Sequence, residues 1–289
     1  MRCLFFLRLP LTADRSQPAA DRRSKEKFMH KVHVDHRDSL MKERMAKIKN
    51  KIIVMSNKGG VGKSTVSVLL AAALAKKGFR TGLLDADIHG PSVAKMTGIE
   101  GIRHEAGENE TIEPVTKENL KIVSMGSILQ DTDKALIWRG PIKITVIKQF
   151  LSDFNWGELD YLIIDLPPGT GDEPLSVCQY IPEIKGAVMV TTGQKISMLD
   201  VSKAMDFLSK LNIKVLSIIE NMSEFVCPHC GKPSKLFYSP EDVYAKNGAT
   251  RMLKLPFDTE IMSKLDEGDC FGVFEGKEKL LKDMLSSIE

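Results

Sequence analysis

No stretch of this 289-residue chain offers the ~20 consecutive apolar residues that a membrane-spanning helix needs. Even the run from Val66 to Ala75 is too short and is broken by Ser67. Cysteine is scarce as well: five residues, an odd number and mostly unpaired by spacing, argue against a secreted disulfide framework and for a reducing, cytoplasmic setting. The apolar start Leu4–Leu7 is cut off by Arg8, too soon for a secretory signal. No internal repeat is present. A basic excess is missing where it would matter most. Residues 1–51 hold 14 Lys and Arg against 6 Asp and Glu, which leaves 27 against 32 for the rest. The acidic remainder lacks the balance expected for extensive binding to a nucleic-acid backbone, although a local patch stays open.

What is present suits one main α/β domain. At 43% hydrophobic the chain can bury a full core, and α/β domains often run this long undivided. Residues 1–48 read as a basic, solvated arm and 49–289 as the globular domain. The arm's His30, His33 and His36 are given no specific role. Met29 opens a more ordinary polar stretch, so translation is expected to begin there, with residues 1–28 an upstream read-through. Strands are expected at 51–56, 81–84, 121–124, 161–165, 186–191 and 213–219. Helices are expected at 66–77, 142–154, 198–211, 241–247 and 277–289, with an exposed loop at 101–113. Such alternation gives right-handed βαβ crossovers and a largely parallel, twisted sheet with helices on both faces.

The most informative segment is Lys58-Gly59-Gly60-Val61-Gly62-Lys63-Ser64-Thr65. It follows a β-branched strand and opens an alanine- and leucine-rich helix, the order a phosphate-binding loop requires. Backbone N–H groups of the loop and the first helical turn would then favour phosphate. Lys63 would reach the β/γ oxygens, and Ser64 would ligate Mg²⁺. Lys58 is one lysine more than the motif needs. At the start of the loop it points away from its own helix, and it can stabilise phosphate on a facing subunit as an arginine finger does. A solvated loop lysine is the plainer reading.

Two aspartate clusters follow strands, at Asp85-Ala86-Asp87-Ile88-His89-Gly90-Pro91-Ser92 and at Asp165-Leu166-Pro167-Pro168-Gly169-Thr170-Gly171-Asp172. Carboxylates at strand carboxyl ends lie where open α/β sheets bind ligands. Asp87 is the candidate for positioning the attacking water and Asp165 for the metal's outer shell. Capping of the following helices is the alternative.

Cys227-Pro228-His229-Cys230 is half of a tetrahedral sulfur site. Only Cys3, Cys178 and Cys270 remain, and no second pair exists among them. A symmetric dimer supplies one, since the same motif from each subunit meets at the two-fold axis. An iron–sulfur cluster, a zinc ion and a redox disulfide all fit this spacing. His229 reads as an exposed loop residue.

Together with Trp138-Arg139-Gly140-Pro141, Glu220-Asn221-Met222 and Leu255-Pro256-Phe257-Asp258, these segments resemble the MinD/ParA-like deviant Walker A ATPases, a P-loop (SIMIBI) group. Within them they resemble the Mrp/ApbC iron–sulfur cluster carriers over roughly residues 50–270. The resemblance implies ATP bound by Gly59, Gly60, Val61, Gly62, Lys63, Ser64, Thr65, Asp165 and Asn221, with Asn221 near adenine and Lys58, Lys63 and Asp87 serving hydrolysis. It implies a [4Fe–4S] cluster held between the subunits of a homodimer by Cys227 and Cys230. Apo iron–sulfur proteins would be the clients, and neither nucleic acid nor membrane a partner. The Trp138 segment would sense nucleotide or partner, where core packing is the alternative. The other class kept open is a MinD/ParA-like spatial organiser with structural zinc at the cysteine pair. The terminal segment 276–285 is amphipathic but mixed in charge, which suits packing on the domain better.

Overall fold

The computed structural model describes residues 37–87, 90, 92–108, 111–128, 140–227, 229–237 and 251–288. The expected helix at 241–247, Trp138, Arg139 and the three arm histidines lie outside these residues. A compact unit spans Met41–Glu289. Its strands are β1 (Ile48–Met55), β2 (Thr81–Asp85), β3 (Val115–Lys117), β4 (Leu120–Val123), β5 (Leu159–Asp165), β6 (Ile184–Thr192), β7 (Val215–Asn221), β8 (Glu224–Val226), β9 (Pro233–Lys235) and β10 (Met252–Lys254). Eight of them form one sheet in the order β10-β7-β6-β1-β5-β2-β4-β3, parallel except for the edge strand β3.

Hydrophobicity without alternation is what places these strands between two helical layers. In β1, Ile52 and Val54 point into one apolar cluster while Ile53 and Met55 point into the other, and all four are fully buried. The period of two thus feeds both faces, as expected for a parallel sheet covered on each side. Helix α1, which includes residues 41–46, contributes Met41 and Met45 to the second cluster.

That same cluster receives α5 (Gly140–Ser152), α6 (Asp172–Tyr180) and α7 (Lys195–Lys210) through Phe150, Val177 and Leu208. The first cluster receives α2 (Lys63–Lys76), α8 (Thr259–Asp266) and α9 (Glu278–Ser286) through Leu70, Ile261 and Met284. Helix α2 is buried almost all round, and its alanines at 71, 72, 73 and 75 let it sit close to the strands. Short helices α3 (Val93–Met96) and α4 (Met125–Ile128) follow β2 and β4.

The crossovers bring the carboxyl ends of β1, β2, β5 and β7 to one edge of the sheet. Register fixes the levels: Val54 and Asp85 both pair with Asp165. The carboxyl-terminal part closes the fold through a glycine contact. Gly98 and Gly268 both adopt left-handed backbone, and a Cβ on Gly268 would lie 2.5 Å from the Cα of Gly98. Gly268→Ala adds a left-handed penalty to a backbone clash, so it is expected to cost about 2 kcal/mol or more. Urea unfolding measures it as a lower midpoint with unchanged slope.

Candidate functional site

The loop after β1 turns into α2 through Gly60 and Gly62, both left-handed at φ 78° and 86°, a conformation glycine adopts without steric cost. Gly62 has a second constraint. A Cβ there would lie 2.1 Å from Nδ2 of Asn221, which donates to the Val61 carbonyl at 3.0 Å. A Cβ at Gly59 or Gly60 would meet nothing within 4 Å, so this part of the loop is open.

Behind the loop lies a buried charge cluster. The Asp165 carboxylate is fully buried and accepts from Ser64 Oγ at 2.6 Å and Ser67 Oγ at 2.7 Å, with Lys63 Nζ at 2.8 Å. Lys63 Nζ also lies 3.2 Å from Ser64 Oγ and 3.9 Å from Asp87 Oδ2. The ammonium compensates a carboxylate that burial would otherwise penalise heavily. Asp85 draws only a smaller opposing effect from the Lys63 charge. Burial, and next the charge of Asp165, push its carboxyl up from the usual carboxylate range. Ser124 Oγ donates to it at 2.8 Å.

The hydroxyl of Ser64 beside a buried carboxylate is a donor set that suits Mg²⁺: Ser64 as direct ligand, Asp165 through water. The loop, Asp85, Asp87 and Asp165 are therefore one site, with Asn221 at its margin. Thr65 follows on α2, half-buried, its hydroxyl 3.9 Å from Met96 Sδ. Lys58 is exposed, and its carbonyl accepts from Ser56 Oγ at 3.0 Å. Ser67 and Ser124 were not singled out from the sequence; a serine inside a helix or after a strand carries no motif signal of its own.

Cys227 and Cys230 lie elsewhere, on a hairpin in which β8 and β9 form a separate two-stranded antiparallel sheet. Cys227 N–H donates to the Lys232 carbonyl at 3.1 Å and Gly231 N–H to the Cys227 carbonyl at 2.8 Å, closing a tight knuckle. Hydrogen bonds from the backbone of Cys230 and of His229, and from the Cys230 thiol, lower the Cys227 thiol below its ordinary value. His229 is exposed. Among the described residues no group of three or more His, Cys, Asp or Glu is arranged to hold a metal.

Cys178 and Cys270 are buried in the apolar clusters, with thiols pushed up by desolvation to about 12 and about 11.

A family model described as "ParA: NUBPL iron-transfer P-loop NTPase" matches residues 47–289. The chain belongs to this family. Its curated relatives include an iron-sulfur cluster carrier protein of Methanocaldococcus jannaschii, 46% identical over 87% of this chain and 89% of that protein. Another, from Saccharolobus solfataricus, is 42% identical over 91% and 89%. Among solved structures, a nucleotide-binding protein of Archaeoglobus fulgidus in complex with ADP is 39% identical, with a TM-score of 0.72 over 81% of this chain and 92% of that one. MinD of Pyrococcus horikoshii, at 20% identity and a TM-score of 0.58 over 83% and 94%, shares the fold. The α/β, largely parallel P-loop architecture read from the sequence is thereby shown.

The NTPase carries two classes of thiol that alkylation separates. At pH 7 iodoacetamide is expected to modify Cys227 and Cys230 within minutes, and Cys178 and Cys270 only after unfolding. A depressed thiol pKa keeps Cys227 reactive at pH values below those at which a free thiol has already protonated. Peptide mass spectrometry across a pH series measures both.

Proposed function

We propose that the chain is an ATP-hydrolysing carrier that holds a [4Fe–4S] cluster between two copies of itself and delivers it to apo iron–sulfur proteins. The observation that carries this reading is the accessible Cys227–Cys230 knuckle. It offers two thiols, one of them acidified, and no third ligand among the described residues. Four sulfur ligands follow from two such knuckles meeting at a symmetry axis. The curated relatives are named as iron-sulfur cluster carriers, which favours a cluster over zinc. A cluster meant to leave is served by ligands at the surface, and the hairpin provides that.

In the nucleotide site, loop N–H groups and Lys63 bind the β/γ-phosphates. Ser64 would ligate Mg²⁺, with Asp165 holding it through water. Bound Mg²⁺ supplies charge neutralisation for phosphoryl transfer. Lys63, now 2.8 Å from Asp165, would turn to the phosphate, and a metal held by Ser64 would supply the positive charge that carboxylate then needs. Asp87, beside Lys63, aligns the water, and Asn221 exchanges its bond to Val61 for one to adenine. Exposed Lys58 reaches the phosphates of the facing subunit. A reducing cytoplasm suits the thiols. No helix among the described residues is long and apolar enough to cross a membrane.

Anaerobic reconstitution tests the cargo. About four irons and four sulfides per dimer are expected, lost in Cys227→Ala/Cys230→Ala. Tight zinc without sulfide would make the knuckle a structural staple and favour the organiser class. Lys58→Ala tests the subunit arrangement: nucleotide affinity is expected to hold within about threefold while turnover falls roughly 10³-fold, the scale of a lost finger residue. Unchanged turnover would remove Lys58 from the reaction.

A further inference from the structure

The carboxyl ends of β2 and β4 carry a buried contact to which the nucleotide motifs give no task. Asp85 is 1% exposed, in register with Asp165, and both its oxygens are engaged. Oδ2 accepts from Ser124 Oγ at 2.8 Å and Oδ1 from the backbone N–H of Asp87 at 3.1 Å. Ser124 is itself fixed. Its hydroxyl oxygen accepts from Gly126 N–H at 3.2 Å, and its carbonyl accepts from Ser127 N–H at 3.1 Å and Ser127 Oγ at 2.7 Å. With that oxygen already accepting, the Ser124 proton is directed to Asp85. A second carboxylate beside buried Asp165 is costly, and an apolar residue would fill the space at less cost. What an apolar side chain would not do is hold the Asp87 backbone.

We propose that Asp85 is a positioning residue for nucleotide hydrolysis: anchored on Ser124, it fixes the backbone at Asp87 and so the direction in which the Asp87 carboxylate faces the phosphates. This rests on the role given above to Asp87. The fixing is done by two accepted hydrogen bonds, and an amide satisfies the same geometry. Asparagine keeps Oδ1 for the Asp87 N–H and turns Nδ2 toward the Ser124 oxygen. The effect falls on turnover rather than binding, because Asp85 holds the Asp87 backbone while, on the proposed reading, the P-loop main chain and Lys63 carry the phosphate contacts. A displacement of about 1 Å at a catalytic group costs roughly 100-fold in rate.

The test uses the full chain with Mg-ATP, measuring kcat, KM and nucleotide Kd for Asp85→Ala, Asp85→Asn, Ser124→Ala and, as reference, Asp87→Ala. Asp85→Ala is expected to lower kcat roughly 10- to 100-fold with KM and Kd within about threefold. Asp85→Asn should recover most of that loss, and Ser124→Ala, which removes one hydroxyl, should show a smaller fall in kcat of the same kind. A merely structural role would lower the melting temperature without this split.

The proposal is overturned if Asp85→Asn is as slow as Asp85→Ala, since charge would then matter and not the hydrogen bonds. It is equally overturned if KM rises while kcat holds. Should Asp85→Ala not fold, an unchanged kcat in Ser124→Ala overturns it alone. If Asp87→Ala turns over at the wild-type rate, the assignment of Asp87 fails instead, and the reference variant separates the two failures.

Discussion

Asp165 is the point on which the nucleotide end of the molecule depends. Its carboxylate closes a three-way junction: β5 supplies it, the start of α2 supplies Lys63, Ser64 and Ser67 around it, and register sets it level with Val54 of β1 and Asp85 of β2. Full burial of a charge is tolerated because an ammonium and two hydroxyls meet it. The arrangement has a direct consequence for the loop. Lys63 and Ser64 are the residues that phosphate and metal would engage, so binding has to exchange partners at Asp165 rather than fill an inert hollow. The hydroxyl of Ser67 donates to Asp165 from one turn further along α2 and ties that helix to β5 independently of Lys63 and Ser64.

The thiol site is built on the opposite principle. Cys227 and Cys230 are held by main-chain hydrogen bonds in a small hairpin outside the main sheet, where burial contributes little and the knuckle's own N–H groups set the acidity of Cys227. Cys178 and Cys270 show the contrast, since desolvation in the core makes them inert. Four cysteines of one chain thus divide into ligand-like and structural pairs by environment alone.

Much of this was legible in the sequence because it rests on short motifs and on local periodicity. Lys58–Thr65, Asp85–Asp87 and Asp165–Asp172 announce themselves by residue type and position after strands, and each core strand was expected within a few residues of its place. Three kinds of feature were not legible. Short elements such as β3, β9 and β10 have too few residues to show a period. Helices α6 and α8 were not expected either. The former starts Asp172-Glu173-Pro174, where proline reads as a break although the first turn accepts it. Side-chain partnerships between distant elements, Ser67 of α2 with Asp165 of β5 and Ser124 after β4 with Asp85 of β2, depend on which elements become neighbours. The order β1-β5-β2-β4 that makes them neighbours is set by crossovers, not by local pattern.

The two sites are joined by very little chain. Asn221 touches the P-loop through Val61 and Gly62, and Cys227 follows it by six residues. Between them Met222 takes a left-handed backbone at φ 55°, which costs a non-glycine residue of order 1 kcal/mol and persists because its surroundings impose it. Those surroundings are specific. Ser223 N–H and Oγ both reach the Leu255 carbonyl at 2.9 Å, and Phe257 N–H reaches the Glu224 carbonyl at 2.7 Å. The root of the hairpin is therefore fastened to the segment before α8, which is itself tied to β7 beside Asn221, since Leu255 N–H donates to the Glu220 carbonyl at 2.9 Å. A shift of Asn221 toward a bound base would have to be absorbed at Met222 or carried into the hairpin. Met222 is followed by two residues that are hydrogen-bonded to the segment before α8, which leaves a short tether between Asn221 and the knuckle. On the proposed reading, that short tether is how nucleotide state would reach the cluster ligands, and it requires no separate moving part.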